Sequence, residues 1–216
     1  MRSTPILFAL CMLTVFAFFG CTKNTFEEQL LAPETKAGMQ VGTANEQGEL
    51  IENRFVSPSK DMIAPTLKNR SNPNQIITGH YTSASGSQVE LRAILNESGV
   101  HGEVEFQSST YGLMQTKTLC VSTNQNGEGI IALHIISVEN PISLFQPNNI
   151  MYMKVKDNGE GAKSKPDQSS QYVWVFYDWF NYYATPQELV EDYPCATYPN
   201  SFGSMLNVAK GQIQVR

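Results

Sequence analysis

From residue 76 onward, the chain consists mainly of short segments in which apolar and polar residues alternate. Such alternation is typical of β-strands that bury one face. Residues 88–95 alternate in this way, and residues 100–107 repeat the pattern after a turn at residues 96–99 that ends in glycine. These two segments predict a β-hairpin.

The same reasoning extends over the rest of this part of the chain. Residues 129–138 are apolar on both faces, which indicates a central strand. One helix is predicted at residues 185–192, with Thr185 as N-cap, Pro186 in the first position and Glu188 closing a capping box. About eight strands are predicted, at residues 76–83, 88–95, 100–107, 113–122, 129–138, 150–156, 171–177 and 211–215. We therefore predict an all-β fold, a single antiparallel β-sandwich or small barrel.

Residues 22–75 differ in composition and in pattern. They are rich in Glu, Asn, Gln, Thr, Pro and Gly and keep no sustained period. The predicted organisation is a signal peptide at residues 1–20, a flexible, disordered linker at residues 21–75, and one β domain at residues 76–216.

The start of the chain carries a targeting signal. Arg2 precedes an apolar run from Ile6 to Phe19, which is too short for a stable membrane span, and Gly20 and Cys21 follow it. This pattern is typical of a bacterial lipoprotein, in which cleavage before the cysteine frees a residue that carries acyl chains such as palmitate. The alternative is an ordinary secretory signal with a chance cysteine after its cleavage site.

A lipidated Cys21 predicts a protein held in the cell envelope by its lipid anchor, with the outer membrane as the expected site, facing the periplasm or the surface. The chain contains 15 Lys and Arg against 20 Asp and Glu, a net charge of −5. Because a negative body is repelled by phosphate, we do not expect nucleic acid as a partner.

Four cysteines indicate the redox setting. Cys11 lies within the signal and Cys21 is used by lipid, which leaves Cys120 and Cys195. In an exported chain this pair predicts a disulfide bond, since the compartment is oxidising. The alternative is a metal site, which would need histidines at a shorter spacing.

The end of the chain carries a more specific pattern. The string DNGEGAKSKPDQSS follows a strand that ends in VK. It is followed by an aromatic strand, a cysteine and a terminal GQIQVR. Two upstream segments belong to the same pattern, TSASGSQVELRAILNESGVHGEVEFQ and TLCV. Together they resemble a family of small extracellular bacterial β-domains. The resemblance implies a compact antiparallel unit of uncharacterised activity on an exported protein, and its two matching cysteines imply the same disulfide.

The DNGEG loop is one candidate site. Asp157, Asn158, Glu160 and Asp167 supply hard oxygen donors on a loop bent by glycines, which is the chemistry that calcium requires. The spacing does not match an EF-hand. The alternative, which we favour, is that the carboxylates accept backbone N–H groups and hold the loop in shape.

An aromatic segment is the second candidate site. Exposed rings bind the apolar faces of sugars, so a glycan or a peptide is the expected ligand. The alternative is that the rings pack around Cys195. The candidate binding residues are Trp179, Phe180, Tyr182, Tyr183 and Tyr198.

No catalytic motif is present in the sequence, and we predict that the protein is not an enzyme. The function predicted from the sequence is a membrane-anchored, non-enzymatic binding or structural module of the cell envelope. The alternatives are a calcium-binding β domain and, less favoured, a hydrolase that acts on envelope polymers.

Overall fold

The computed structural model describes residues 38–56, 74–161, 164–199 and 201–216, which belong to one compact unit. They form one antiparallel sheet, a short 3₁₀ helix at Trp179–Asn181, and helix α1 at Pro186–Asp192. The strands are β1 (Met39–Asn45), β2 (Leu50–Val56), β3 (Gln75–Thr82), β4 (Gln88–Asn96), β5 (Gly99–Ser108), β6 (Gly112–Thr123), β7 (Glu128–Val138), β8 (Ile150–Lys156), β9 (Gln168–Ser170), β10 (Tyr172–Phe176), β11 (Met205–Asn207) and β12 (Lys210–Val215).

The strands pair in the order β12-β3-β4-β5-β6-β7-β8-β10-β1-β2. The edge of β8 is shared, because Ile150–Tyr152 pair with β10 whereas Val155 and Lys156 pair with β9. Strand β9 also pairs with β11, which is separated from β12 by only two residues. The all-β antiparallel prediction is confirmed, and the sheet curls into a barrel with an extension formed by β10, β1 and β2.

The curl brings distant strands together inside the barrel. Ile77 of β3 packs against the backbone of Gly129 in β7, where an added Cβ would lie 2.3 Å from Ile77 Cδ1. A larger residue at position 129 would therefore require the Ile77 side chain to move. Ile77 is fully buried, together with Val104, Ile131, Val155 and Ile213, in the cluster of apolar side chains that fills the barrel. We call this set the inner cluster.

Two carboxylates cover the outer edge of β12. Asp167 Oδ2 accepts a hydrogen bond of 2.7 Å from the Ile213 N–H group, and Asp157 Oδ2 accepts one of 3.1 Å from the Val215 N–H group. Since β12 pairs with β3 through its other edge, these side chains occupy the place of a neighbouring strand. The loop between β8 and β9 thus closes the barrel with side chains rather than with a ladder of backbone bonds.

A second apolar layer lies on the outer face of the sheet. Val41, Ile150, Tyr152 and Phe176 point outward from β1, β8 and β10, and residues 178–202 fold over them. Helix α1 contributes Leu189 and Val190 to this layer. We call it the outer cluster. It explains why β8 and β10 are apolar on both faces.

The predicted start of the β domain at residue 76 is wrong. Strand β1 lies between β10 and β2 and buries Met39 and Val41 completely, so residues 39–56 belong to the sheet and not to a linker. The pattern hides this because every residue from Leu50 to Arg54 is exposed and β2 therefore shows no buried face. Residues 1–37, including Cys21, lie outside the described residues.

Helix α1 is confirmed at its predicted place. Thr185 has an extended backbone, and its side chain accepts a hydrogen bond of 3.3 Å from the Glu188 N–H group, while Pro186 occupies the first turn. The Glu188 side chain accepts in return from the Ala184 N–H group at 3.0 Å. The N-terminus of α1 is therefore fixed by local sequence.

We predict that Asp167→Ala lowers the free energy of unfolding by about 3 kcal/mol, because the buried carboxylate satisfies the backbone N–H groups of both Ile213 and Asn158. Urea unfolding measures the loss. Glu160→Ala is the control: Glu160 is exposed and accepts only from the Gln214 side chain, so its loss should cost less than about 0.5 kcal/mol. Equal effects of the two substitutions would contradict closure by Asp167.

Candidate functional site

The predicted disulfide bond between Cys120 and Cys195 is confirmed. It joins the outer face of β6 to the turn after α1 and closes a loop with a sequence separation of 75. A loop of that length corresponds to about 4 kcal/mol of stabilisation on the chain-entropy model. The bond therefore holds residues 178–202 against the sheet.

The aromatic segment does not form the open platform that the sequence suggested. The Trp179 side chain is only 6 % exposed, and its indole Nε1 donates a hydrogen bond of 2.7 Å to the Asn148 carbonyl. The Tyr198 ring packs edge-on or tilted against Tyr152, Trp174, Phe176 and Tyr193, with centroids 5.0–6.0 Å apart. These two rings are part of the outer cluster, and their assignment to ligand binding is corrected.

The other three candidate rings divide between packing and exposure. Tyr182 and Tyr183 are half-buried against the outer cluster, and the Tyr183 hydroxyl donates to Asp192 at 2.7 Å. Burial and this carboxylate raise the pKa of Tyr183 well above its ordinary value. Phe180 is the exception, since 59 % of it is exposed. One exposed ring does not make a stacking surface for a sugar chain.

The DNGEG loop uses its oxygen donors on the protein itself. Asp157 Oδ1 accepts from the Gly159 N–H group at 2.6 Å, and Asp167 Oδ1 accepts from the Asn158 N–H group at 2.9 Å, in addition to their bonds to β12. Asn158 donates its amide to the Pro166 carbonyl, and Glu160 accepts from Gln214. Within the described residues, no group of three or more His, Cys, Asp or Glu side chains is placed to hold a metal ion.

These contacts agree with the structural role that we favoured for the loop. A calcium ion would compete for the carboxylate oxygens with the backbone N–H groups that already donate to them, and any donor released in a buried place would be costly. Calcium binding at this loop stays a prediction.

An apolar groove lies directly beside the disulfide bond. Its volume is about 520 Å³, which is within the range of small-ligand sites. One wall is the tip of the β4–β5 hairpin, with Leu95 and Val100, and the opposite wall is α1, with Val190. The floor consists of Leu119, Cys120, Val121 and Cys195, and the polar groups at the rim include Gln187, Glu191 and Thr197. We call this site the disulfide groove.

A second depression of about 540 Å³ continues from the disulfide groove and shares Val100, Leu119 and Gln187 with it. His134 and Lys117 line this part. His134 stands edge-on to Trp179, and its Nε2 atom is buried without a hydrogen-bond partner among the described residues. Burial, and then the charge of Lys117, lower the pKa of His134, which favours the neutral imidazole.

The barrel interior holds a separate, smaller cavity of about 40 Å³. Tyr81, Tyr111 and Ser169 line it among methionine and phenylalanine side chains. Burial raises the pKa of Tyr111 to about 12. This cavity has room for about two or three water molecules, which makes it too small for an organic ligand.

The disulfide groove is more apolar than the other depressions of ligand size on the described surface, and only part of it was visible in the sequence. The two cysteines were identified, but Leu95 and Val100 come from one hairpin and Val190 from a helix much later in the chain, and all three looked like ordinary core positions. Searches of protein-family models, curated proteins and solved structures found no match for the chain. The resemblance to a family of extracellular β-domains therefore stays a prediction.

We predict that Trp179→Ala destabilises the fold by about 3–5 kcal/mol, because it removes a large buried side chain from the outer cluster. Phe180→Ala is the matched control, and it should change the free energy of unfolding by less than about 0.5 kcal/mol because the ring is exposed. Chemical denaturation of both variants makes the comparison. A fully stable Trp179→Ala variant would return Trp179 to the candidate binding residues.

Proposed function

We propose that this protein is a lipid-anchored lipoprotein of the cell envelope, and that its β domain is a non-catalytic binding module for an apolar peptide segment. The single observation that carries the binding proposal is the disulfide groove, an apolar site of ligand size on the surface of the domain. The anchor rests on the sequence around Cys21, and the binding site rests on the groove.

Two independent features support a location outside the cytosol. The apolar run, Gly20 and Cys21 form a lipoprotein signal. The Cys120–Cys195 disulfide bond is typical of proteins in oxidising compartments. None of the helices in the described part of the chain has the length and apolar character of a membrane span. Acyl chains on Cys21 would provide the attachment, in the outer membrane as we propose.

The lining of the groove favours an apolar peptide over a glycan. Sugar binding by stacking needs open ring faces, but the walls of this groove are aliphatic side chains and the disulfide bond. Leu95, Val100 and Val190 can enclose one or two apolar side chains of a peptide. Gln187 and Thr197 at the rim supply both donors and acceptors, which suits the peptide backbone.

The groove gives less support to a hydrolase. Both of its sulfur atoms are held in the disulfide bond, so neither is a free thiolate nucleophile. The neutral form of His134 is able to act as a base, but its ring neighbour is Trp179 and its Nε2 atom has no partner among the described residues. Binding without catalysis is the function that this chemistry supports.

The anchor is tested by Cys21→Ser. We predict that the unaltered protein sediments with membranes and partitions into detergent, whereas the variant is recovered in the soluble fraction after export, because the acyl chains have no sulfur to attach to. Mass spectrometry of the N-terminal peptide measures the modification directly. An unaltered protein with an unmodified N-terminus would contradict the anchor and leave the groove proposal untouched.

Peptide binding is tested with a random peptide library and a matched pair of variants. We predict that Val100→Asp abolishes selection of apolar peptides, because it places a carboxylate in the wall of the groove. Ile136→Asp is the control: Ile136 is 52 % exposed and lines neither the groove nor its continuation. Equal binding by both variants, or selection of glycans instead of peptides on an array, would contradict the proposal.

A further inference from the structure

The two end strands of the sheet, β12 and β2, differ in what contacts their free edges. At β12 the outward N–H groups of Ile213 and Val215 are occupied by the carboxylates of Asp167 and Asp157. At the opposite end, β2 pairs with β1 through one edge, and no strand among the described residues pairs with its other edge. An exposed edge strand is a template for pairing with another strand.

Strand β2 also exposes an unusual amount of apolar surface. Leu50, Ile51 and Phe55 are 47 %, 51 % and 62 % exposed, and they account for three of the five large apolar side chains that are exposed in the described part of the chain. The remaining two, Ile136 and Phe180, lie elsewhere. An exposed edge strand with this much apolar surface is rare in a protein that stays monomeric.

The sequence of β2 is complementary to itself. It reads Leu-Ile-Glu-Asn-Arg-Phe-Val, so two antiparallel copies centred on Asn53 place Glu52 opposite Arg54 in both directions. The same register brings Ile51 and Leu50 towards Phe55 and Val56 of the other copy, with a bulge at Ile51, where the pairing of β2 with β1 skips one residue. Opposite charges and apolar pairs at facing positions are the interactions that stabilise antiparallel strand pairs.

We propose that β2 is a homodimerisation edge, at which two copies of this chain join their sheets through antiparallel β2–β2 pairing centred on Asn53. The contact is isologous, since each residue at position 53 + n meets position 53 − n of the other copy. It goes beyond the proposed function, because it depends on neither the lipid anchor nor the disulfide groove.

The side chains of β2 are already held in suitable positions. Arg54 makes a two-point contact with Glu52, at 2.7 and 2.8 Å, and its guanidinium lies 5.2 Å from the centre of the Trp174 ring. Asn53 accepts a hydrogen bond of 3.0 Å from the Tyr177 hydroxyl, which also donates to Gln40. Side chains that are already ordered lose less conformational entropy on association, so these contacts of Arg54 and Asn53 favour pairing of β2 with another strand.

Charge complementarity selects a second copy over other occupants. Glu52 and Arg54 are already paired within one chain. Centring the pairing on Asn53 brings two such pairs into one alternating group, in which each Arg54 also faces the Glu52 of the other copy, whereas an unrelated apolar strand offers no second carboxylate. A pairing of seven residues forms a small interface, so the affinity is expected to be modest. Attachment of both copies to one membrane would strengthen it by raising the effective concentration.

The test uses charge reversal in the full chain, purified in detergent and examined by analytical ultracentrifugation. In a dimer of the Arg54→Glu variant, the new glutamate faces Glu52 of the other copy. In a dimer of the Glu52→Arg variant, the new arginine faces Arg54 of the other copy. Each variant should therefore weaken self-association at least about tenfold. An equal mixture of the two should recover a heterodimer, because the two acidic positions of one chain then face the two basic positions of the other. Arg92→Glu, an exposed charge reversal on β4, is the control and should leave the dimer unchanged.

The outcomes separate the possibilities. Recovery in the mixture, with unchanged melting temperatures of the single variants, supports the proposed register. An unaltered chain that stays monomeric in detergent and in vesicles overturns the proposal. If the β2 amides of that monomer resist hydrogen exchange, another segment of the same chain covers the free edge of β2. A dimer that tolerates both single variants overturns it as well, since its interface would lie elsewhere.

Discussion

The hydrogen bonds from the Ile213 and Val215 N–H groups to Asp167 and Asp157 close the barrel, and the rest of the structure depends on them. They keep β12 beside the β8–β9 loop, and β12 in turn covers β3, whose Ile77 fills the interior at Gly129. A ladder of backbone bonds would require a continuous strand at this place. With Asp157 and Asp167, the loop between β8 and β9 need not be a strand to satisfy the outward N–H groups of β12. Each of these carboxylates accepts hydrogen bonds from two backbone N–H groups.

A second constraint acts on the outside of the sheet. Residues 178–202 carry most of the aromatic side chains of the outer cluster, and the Cys120–Cys195 bond holds their far end against β6. The indole groups of Trp174 and Trp179 donate to carbonyls of Ser201 and Asn148, so the buried polar atoms of both rings are satisfied. The groove is lined by residues of α1, of the β4–β5 hairpin and of the disulfide bond between them. The same segment therefore contributes both to the outer cluster and to the candidate site.

Local patterns predicted most of the barrel, because strands that bury one face leave a period of two in the sequence. They also predicted α1, whose cap involves only neighbouring residues. They missed β1, which is buried along most of its length and so shows no alternation. They also missed β2, in which neither face is buried, and β9 and β11, which are too short to show a period. The aromatic segment was misjudged for another reason. The sequence showed how many aromatic rings the segment carries. It did not show that the outer face of the sheet, with Tyr152 and Phe176, is the surface against which these rings pack.

The position of β1 in the sheet has a consequence for the order in which the protein folds. Gln40 near the start of β1 donates its N–H group to Asp178, which lies 138 positions later in the chain. The first strand therefore has no partner on one side until β10 and the residues after it have been synthesised. Contacts between such distant positions form slowly. For a protein exported as we propose, this delay keeps the chain open during passage across a membrane, since its earliest strand cannot complete its sheet before the last third has emerged.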